Sequence, residues 1–433
     1  MAVVKPFRGY FYSSKFIEKH PLDRLAAPPY DVISEKEKIR LTEDPYNFAH
    51  LTLGKAEDDY QKAKQLLQSW IKEGVVEQDE APSFYIDEQE FQLNSSSPRK
   101  KRTGFVGLVR LEPWDKKIIM PHERTMPKYS QDRLKLLRAT RANLEQIFGI
   151  FNDSSGAIDQ LLEENKKEEN LILQFTDYQG VVHRLWRIKE PKVIDQIRRI
   201  LNPRTIIIAD GHHRYETSLM YREERRKELQ DPWEEIPEDY VMMTLVNMKN
   251  PGLLILPTHR LVHNLPEERV RDFFTKCQGY FIVKNFANER EMDEFLQTAP
   301  PHTIGVYNKV ENKWGAITLK DLKVMDQKLG KESVNRYLDT AILHEIVFKE
   351  ILGINQEAQE ESKYVDYLRG TKDVFTLAQE ENHYQLVFVM RPTPLERVEE
   401  AATYAQRMPQ KSTYFYPKVW SGLVFRLLDE VKL

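Results

Sequence analysis

The 433-residue sequence predicts an α+β fold with mixed strands and helices, on three observations. Thr205-Ile206-Ile207-Ile208-Ala209 is a short, β-branched apolar run bounded by polar residues, the pattern of a buried strand. Ser83 to Leu93 and Thr103 to Leu111 alternate as strands on either side of a polar turn. Residues 58–73 place Ala63, Leu66, Leu67, Trp70 and Ile71 on one helical face. The length suggests two or three domains. A composition of 41% hydrophobic and 30% charged residues supplies a substantial core.

Along the chain, Pro28 and Pro29 keep Ala26 to Ile33 out of a helix. Ser34, with Glu37 three places on, reads as a capped helix start. Gly74 stops the helix over 58–73. Asn94 to Arg102 is polar and basic and reads as an exposed hairpin loop, with a phosphate or nucleic-acid patch as its functional alternative. Residues 129–146 form a basic helix carrying Arg133, Lys135, Arg138 and Arg141. The 205–209 strand leads into a helix over 215–229, with Pro232 just beyond, and 240–248 is a strand.

From about residue 266 helices and strands alternate: helices over 266–277, 287–297 and 334–351, strands over 279–285, 303–308 and 313–319. A strand at 384–390, a helix at 395–406 and the run Met408 to Lys418 close the chain. The expected parts are 1–95, 96–265 and 266–433.

Lys and Arg (64) nearly balance Asp and Glu (67), a net charge of −3. That argues against duplex binding as the main activity and leaves only a local patch for nucleic acid. The single cysteine, Cys277, excludes a disulfide framework and a cysteine-rich metal site, and reads as a packed thiol. No apolar run reaches bilayer length, so no membrane partner is expected. The first residues show no apolar signal segment, so a cytoplasmic location is expected. A homodimer is compatible with the sequence.

The chemistry centres on Asp210-Gly211-His212-His213-Arg214, which joins the 205–209 strand to the next helix. A helix start presents unpaired N–H groups and a partial positive charge. Gly211 allows close backbone approach. His212 and His213 add donors, and Arg214 can grip phosphate oxygens in a fork. Together they form an anion cradle. Asp210 would repel a phosphate unless a cation or proton lies between them, so it could hold magnesium, directly or through water, or orient a histidine. Zinc fits less well, because adjacent histidines do not face one another on a helix.

A second cluster, His122-Glu123-Arg124-Thr125, lies between Pro121 and Pro127. Glu123 can serve as a general base if it reaches a hydroxyl. The competing reading is a helix-entry loop with Glu123 paired to Arg124 or Lys128. Thr258-His259-Arg260 follows a strand, and Lys411-Ser412-Thr413 puts a cation and two hydroxyls between prolines; each suits a site wall or plain structure. Tyr30 and Asp31 sit in a proline-bent loop. His344, among Ile342, Leu343, Ile346 and Val347, reads as a packing or surface residue.

The segments Ala27 to Ile33, Pro121 to Pro127, Ile208 to Tyr215 and Met408 to Phe415 resemble the bacterial and archaeal DUF1015 family, over nearly the whole chain. The Asp-Gly-His-His-Arg turn is also similar to one in the ParB/sulfiredoxin superfamily, nearest to free serine kinases, over the central third. That resemblance implies a ParB/sulfiredoxin-like domain over 96–265, with a nucleotide phosphate held by Gly211 to Arg214. It further implies Glu123 as the general base and Asp210 as the second catalytic acidic residue, ATP or ADP with Mg2+ as cofactors, and the hydroxyl of a small metabolite such as L-serine as acceptor. His122, Arg124, Thr125, Thr258, His259, Lys411, Ser412 and Thr413 are the expected substrate-pocket residues. The rival readings are a CTP-switch-like, DNA-associated protein using the basic helix, and a metal-dependent phosphohydrolase or nuclease.

Overall fold

The computed structural model describes the chain except residues 55–56, 124–126, 232, 361–362, 370–373, 382 and 429–433. The fold is α+β, in two compact units. One comprises Met1–Pro121, Thr125–Leu254 and Pro417–Leu433; the other comprises His122–Arg124 and Ile255–Tyr416.

The first unit is built on a nine-stranded mixed sheet. Its order is Ile119–Pro121, Ile206–Asp210, Ile147–Phe151, Tyr240–Asn247, Lys100–Arg110, Phe84–Phe91, Val182–Ile188 and Leu171–Thr176, with Val4–Lys5 pairing Lys100–Arg110. Helices cover both faces, so neighbouring strand residues enter two different cores. Phe84 and Ile86 pack in one cluster with Ile206, Ile208 and Met243, while Tyr85 joins Met242, Leu108 and Trp70 in the other. Trp420, Leu423, Val424 and Phe425 pack into that second core, which anchors the C-terminal segment in this unit.

The second unit carries a six-stranded antiparallel sheet, ordered Phe281–Phe286, Lys313–Leu319, Thr303–Asn308, Tyr384–Val389, Thr258–His263 and Val365–Arg369. Its helices include Glu289–Thr298, whose Met292 and Leu296 pack with Leu261, Ala316 and Val387.

Local signals shaped several elements as expected. Ser34 Oγ accepts from the Glu37 N–H at 3.2 Å and the Glu37 carboxylate accepts from the Ser34 N–H at 2.9 Å, a complete capping box. The amphipathic helix spans Glu57–Lys72 and Gly74 takes a left-handed φ of 71° behind it. Cys277 is buried, and burial pushes its thiol pKa up.

Four expectations are corrected. The basic helix stops at Thr140, six residues early, because Ala142–Asn143 pairs with Arg426–Leu427 and Arg141 turns left-handed. The 266–277 helix breaks at Asp272, also left-handed, into Glu267–Val270 and Phe273–Cys277. The 334–351 helix divides into a 3-10 turn (Val334–Tyr337), an α turn (Asp339–Ile342) and a π-helical run (Leu343–Ile351). The polar hairpin loop is also shorter than expected. Lys100 to Arg102 already belong to a strand, and its alternation turns Arg102 inward over the Phe148 ring at 4.6 Å.

Candidate functional site

Asp210 ends the Ile206–Asp210 strand, which lies between a parallel partner (Ile119–Pro121) and an antiparallel one (Ile147–Phe151). Gly211 follows at φ 89°, a conformation L side chains rarely adopt. The helix His212–Arg226 starts there with no side-chain cap. The Arg214 guanidinium folds back over the turn: a Cβ on Gly211 would meet Arg214 Nε at 3.0 Å. The dihedral calls for glycine, and a Cβ would also press on the Arg214 guanidinium.

The Asp210 carboxylate is held between two cations. Lys418 Nζ donates to Oδ1 at 2.9 Å, and Arg214 Nη2 donates to Oδ2 at 3.1 Å. Burial opposes ionisation, but Lys418, Arg214 and His212 outweigh it and hold this carboxyl well below the usual range. Arg214 also donates to the Gln146 carbonyl oxygen, and Glu145 with Asp210 raises its already high pKa against the effect of burial. Glu145 Oε1 accepts from the Tyr30 N–H at 3.0 Å and from Ser421 Oγ at 3.2 Å. The Arg133 guanidinium lies 4.2 Å from the Tyr30 ring centre. A cavity of about 50 Å³ lies among Arg133, Asn143, Glu145, Arg214, Thr217 and Ser218. It is wide enough for water beside the Arg214 charge.

Lys418 is set from behind by its main chain. Gln89 Nε2 donates to the Lys418 carbonyl oxygen at 2.7 Å. His183 Nδ1 lies 3.5 Å from the same Gln89 nitrogen, and His183 Nε2 lies 2.9 Å from Asp177 Oδ2. His212 is buried, and His213 Nδ1 lies 3.3 Å from Ser130 Oγ.

His122 and Glu123 fall in the other unit, with the 408–415 run. Glu123 bridges Met408 in parallel, and the Met408 N–H donates to the His122 carbonyl oxygen at 2.7 Å. Glu123 Oε1 accepts from the Lys411 N–H at 3.0 Å, with Lys411 left-handed at φ 58°. His122 Nε2 lies 2.8 Å from Thr413 Oγ1. Ser412 Oγ donates to the Pro409 carbonyl oxygen at 2.6 Å and lies 3.1 Å from Thr340 Oγ1. Thr258 and His259 are buried on the adjoining strand. His259 Nδ1 accepts from the Met390 N–H at 3.1 Å, and burial with the Arg260 charge pushes this imidazole down to about 4.

The structure thus gathers His122, Glu123, Thr258, His259, Lys411, Ser412 and Thr413 in one unit and Asp210 to Arg214 in the other. Arg124 and Thr125 lie outside the described residues. Sequence reasoning did not single out Lys418, Glu145 or Gln146. Lys418 was legible only as the last residue of the closing motif, because partners hundreds of residues away leave no local periodicity.

Among the described residues no group of three or more His, Cys, Asp or Glu is arranged to hold a metal. No described helix is long and apolar enough to cross a membrane. The basic helix spends its arginines internally: Arg138 Nε donates to Glu224 at 3.0 Å, and Arg133 donates to the Thr52 carbonyl oxygen at 2.7 Å. Arg141, just past its end, lies 3.5 Å from Glu238.

Fold and site together define an α+β protein with an ionised aspartate clamped at an uncapped helix start. The chain belongs to the DUF1015 family, described as a protein of unknown function, whose family model matches residues 4–341. No curated protein matches it. Among solved structures it is similar to a free serine kinase in complex with AMP, at 12% identity and a TM-score of 0.34, over 69% of this chain and 83% of that one. It is similar to a conserved hypothetical protein from Pyrococcus furiosus at 10% identity and 0.33, over 69% and 87%. The third is SbnI with C-terminal truncation from Staphylococcus aureus, at 10% identity and 0.33, over 74% and 81%. At TM-scores of this size, function has to be argued from the site itself.

Proposed function

We propose that this protein is a nucleotide-dependent phosphotransferase that phosphorylates the hydroxyl of a small metabolite, such as free L-serine, with ATP or ADP as donor. The observation that carries the reading is the charged turn. A glycine-opened, uncapped helix start, flanked by Arg214 and Lys418, suits nucleotide phosphates. In this reading Gly211, His212, His213 and Arg214 hold the phosphates. Asp210 keeps the two cations in place and, if magnesium binds here, ligates it through water, since both its oxygens already accept from cations. Magnesium would supply charge neutralisation for the transferring phosphoryl group. Glu123 is assigned as the general base, aimed by its hydrogen bond from the Lys411 N–H. The ParB/sulfiredoxin-like character of 96–265 is part of the same proposal.

The test is to incubate the protein with ATP or ADP, magnesium and an amino-acid mixture, and to seek phosphorylated products by mass spectrometry. Glu123→Gln should lower turnover on the order of 10²- to 10⁴-fold while AMP affinity stays nearly unchanged. Undiminished turnover in that variant removes the assigned base. Phosphate release without an acceptor points instead to a phosphohydrolase.

A further inference from the structure

The six-stranded unit buries a guanidinium that its own groups leave incompletely used. Arg260, on the Thr258–His263 strand, is 1% exposed. Its Nη1 donates to the Thr258 carbonyl oxygen and its Nη2 to the Lys411 carbonyl oxygen, the latter at 2.9 Å. Its Nε is buried with no hydrogen-bond partner among the described residues. No described carboxylate forms an ion pair with it. Its guanidinium carbon lies 5.5 Å from the Tyr367 ring centre, and burial outweighs the influence of Tyr367 and Glu123, pulling its pKa down to about 10. It is still charged at neutral pH. A buried charge held by two neutral carbonyl oxygens and an aromatic ring, with a bare N–H, is a costly arrangement that an anion would relieve.

A second unsatisfied donor lies on the same side of the sheet: Phe388 pairs with Arg260 across the strands and packs edge-on against Phe348 at 5.6 Å, beside His344. His344 Nε2 is buried and unpartnered. The ring stacks on Phe348 at 5.5 Å, within the π-helical run Leu343–Ile351, a distortion that often accompanies functional sites. Burial first, then the Arg260 charge, holds the imidazole neutral, with its pKa pushed down to about 3. A neutral imidazole can offer Nε2–H.

We propose that Arg260 and His344 form a subsite for a small carboxylate anion, with the bare Nε–H of the arginine and the Nε2–H of the histidine as donors. A planar guanidinium matches a carboxylate edge. One cation balances one carboxylate charge, whereas a phosphate dianion would bring two charges towards Glu123. The subsite deepens the kinase reading, on which the choice of an amino acid as ligand rests; the anion site itself stands on Arg260 and His344 alone.

The experiment uses the full chain without nucleotide and measures binding of L-serine, L-serinamide, glycolate and inorganic phosphate by calorimetry, with AMP titrated separately. L-serine or glycolate should bind, with L-serinamide and phosphate at least ten-fold weaker. Arg260→Lys, which keeps the charge but loses the fork, should weaken carboxylate binding on the order of ten- to a hundred-fold, with AMP affinity unchanged. Should Arg260→Lys not fold, His344→Leu keeps the guanidinium and should weaken it about three- to ten-fold. Glycolate binding without L-serine binding would keep the subsite and remove the amino acid. No carboxylate binding, a preference for phosphate, or native carboxylate affinity in the folded variants would overturn the proposal, whatever AMP does.

Discussion

The two units solve the burial of charge in opposite ways. In the nine-stranded unit, Asp210 accepts from Lys418 and Arg214, and every charge at the turn has an oppositely charged neighbour. In the six-stranded unit, Arg260 donates to two carbonyl oxygens and keeps a bare Nε, while Glu123 accepts from a main-chain N–H. Paired charges fix a turn in advance of any ligand. A charge left on neutral partners contributes less to the fold and keeps its capacity for an incoming anion. The same residue types therefore carry different functions according to what faces them.

The largest expected effect breaks the paired cluster. Asp210→Asn leaves Lys418 and Arg214 sharing no carboxylate, and should cost about 3 kcal/mol by denaturant titration. The pH dependence sharpens this. The folded pKa of Asp210 lies below its unfolded value near 3.9, so its contribution is fully present above the unfolded range and is lost as pH falls. The gap between native protein and Asp210→Asn should be constant above about pH 5 and shrink steadily below about pH 4. A gap unchanged at pH 3 would mean that Asp210 is not held ionised by these cations.

Next in size, Gly211→Ala forces a Cβ into a left-handed residue and against the Arg214 guanidinium. About 1–2 kcal/mol of stability should be lost, read as a lower Tm. Gly74→Ala, with the same sign of φ but open space around it, should cost only the dihedral share. The smallest change is expected at the unpaired cation. Arg260→Met replaces a buried charge with an apolar chain of similar length and should leave stability within about 1 kcal/mol of native. A loss as large as that of Asp210→Asn would erase the contrast between the two units.

Much of this was legible in local pattern. The Ile206–Asp210 strand, the glycine-opened helix start and the Ser34–Glu37 capping box each follow from residues within a few positions of one another. In two of the misread elements a distant partner or a left-handed residue had intervened: Ala142–Asn143 pairs with residues nearly three hundred positions on, and Asp272 breaks a run that looked helical. Arg102 looked like a loop residue until its strand turned it inward.

The sequence by itself determined the strand, the glycine at the turn and the helix that follows, because dihedral preference, capping and periodicity act over a handful of residues. Only the tertiary structure decided that Lys418 clamps Asp210, that Glu123 and Lys411 share one unit, and that Arg260 is buried with its Nε bare among the described residues. Those outcomes depend on which side chains share a volume of low polarity, and that follows from packing of segments far apart in the chain, which no local rule encodes.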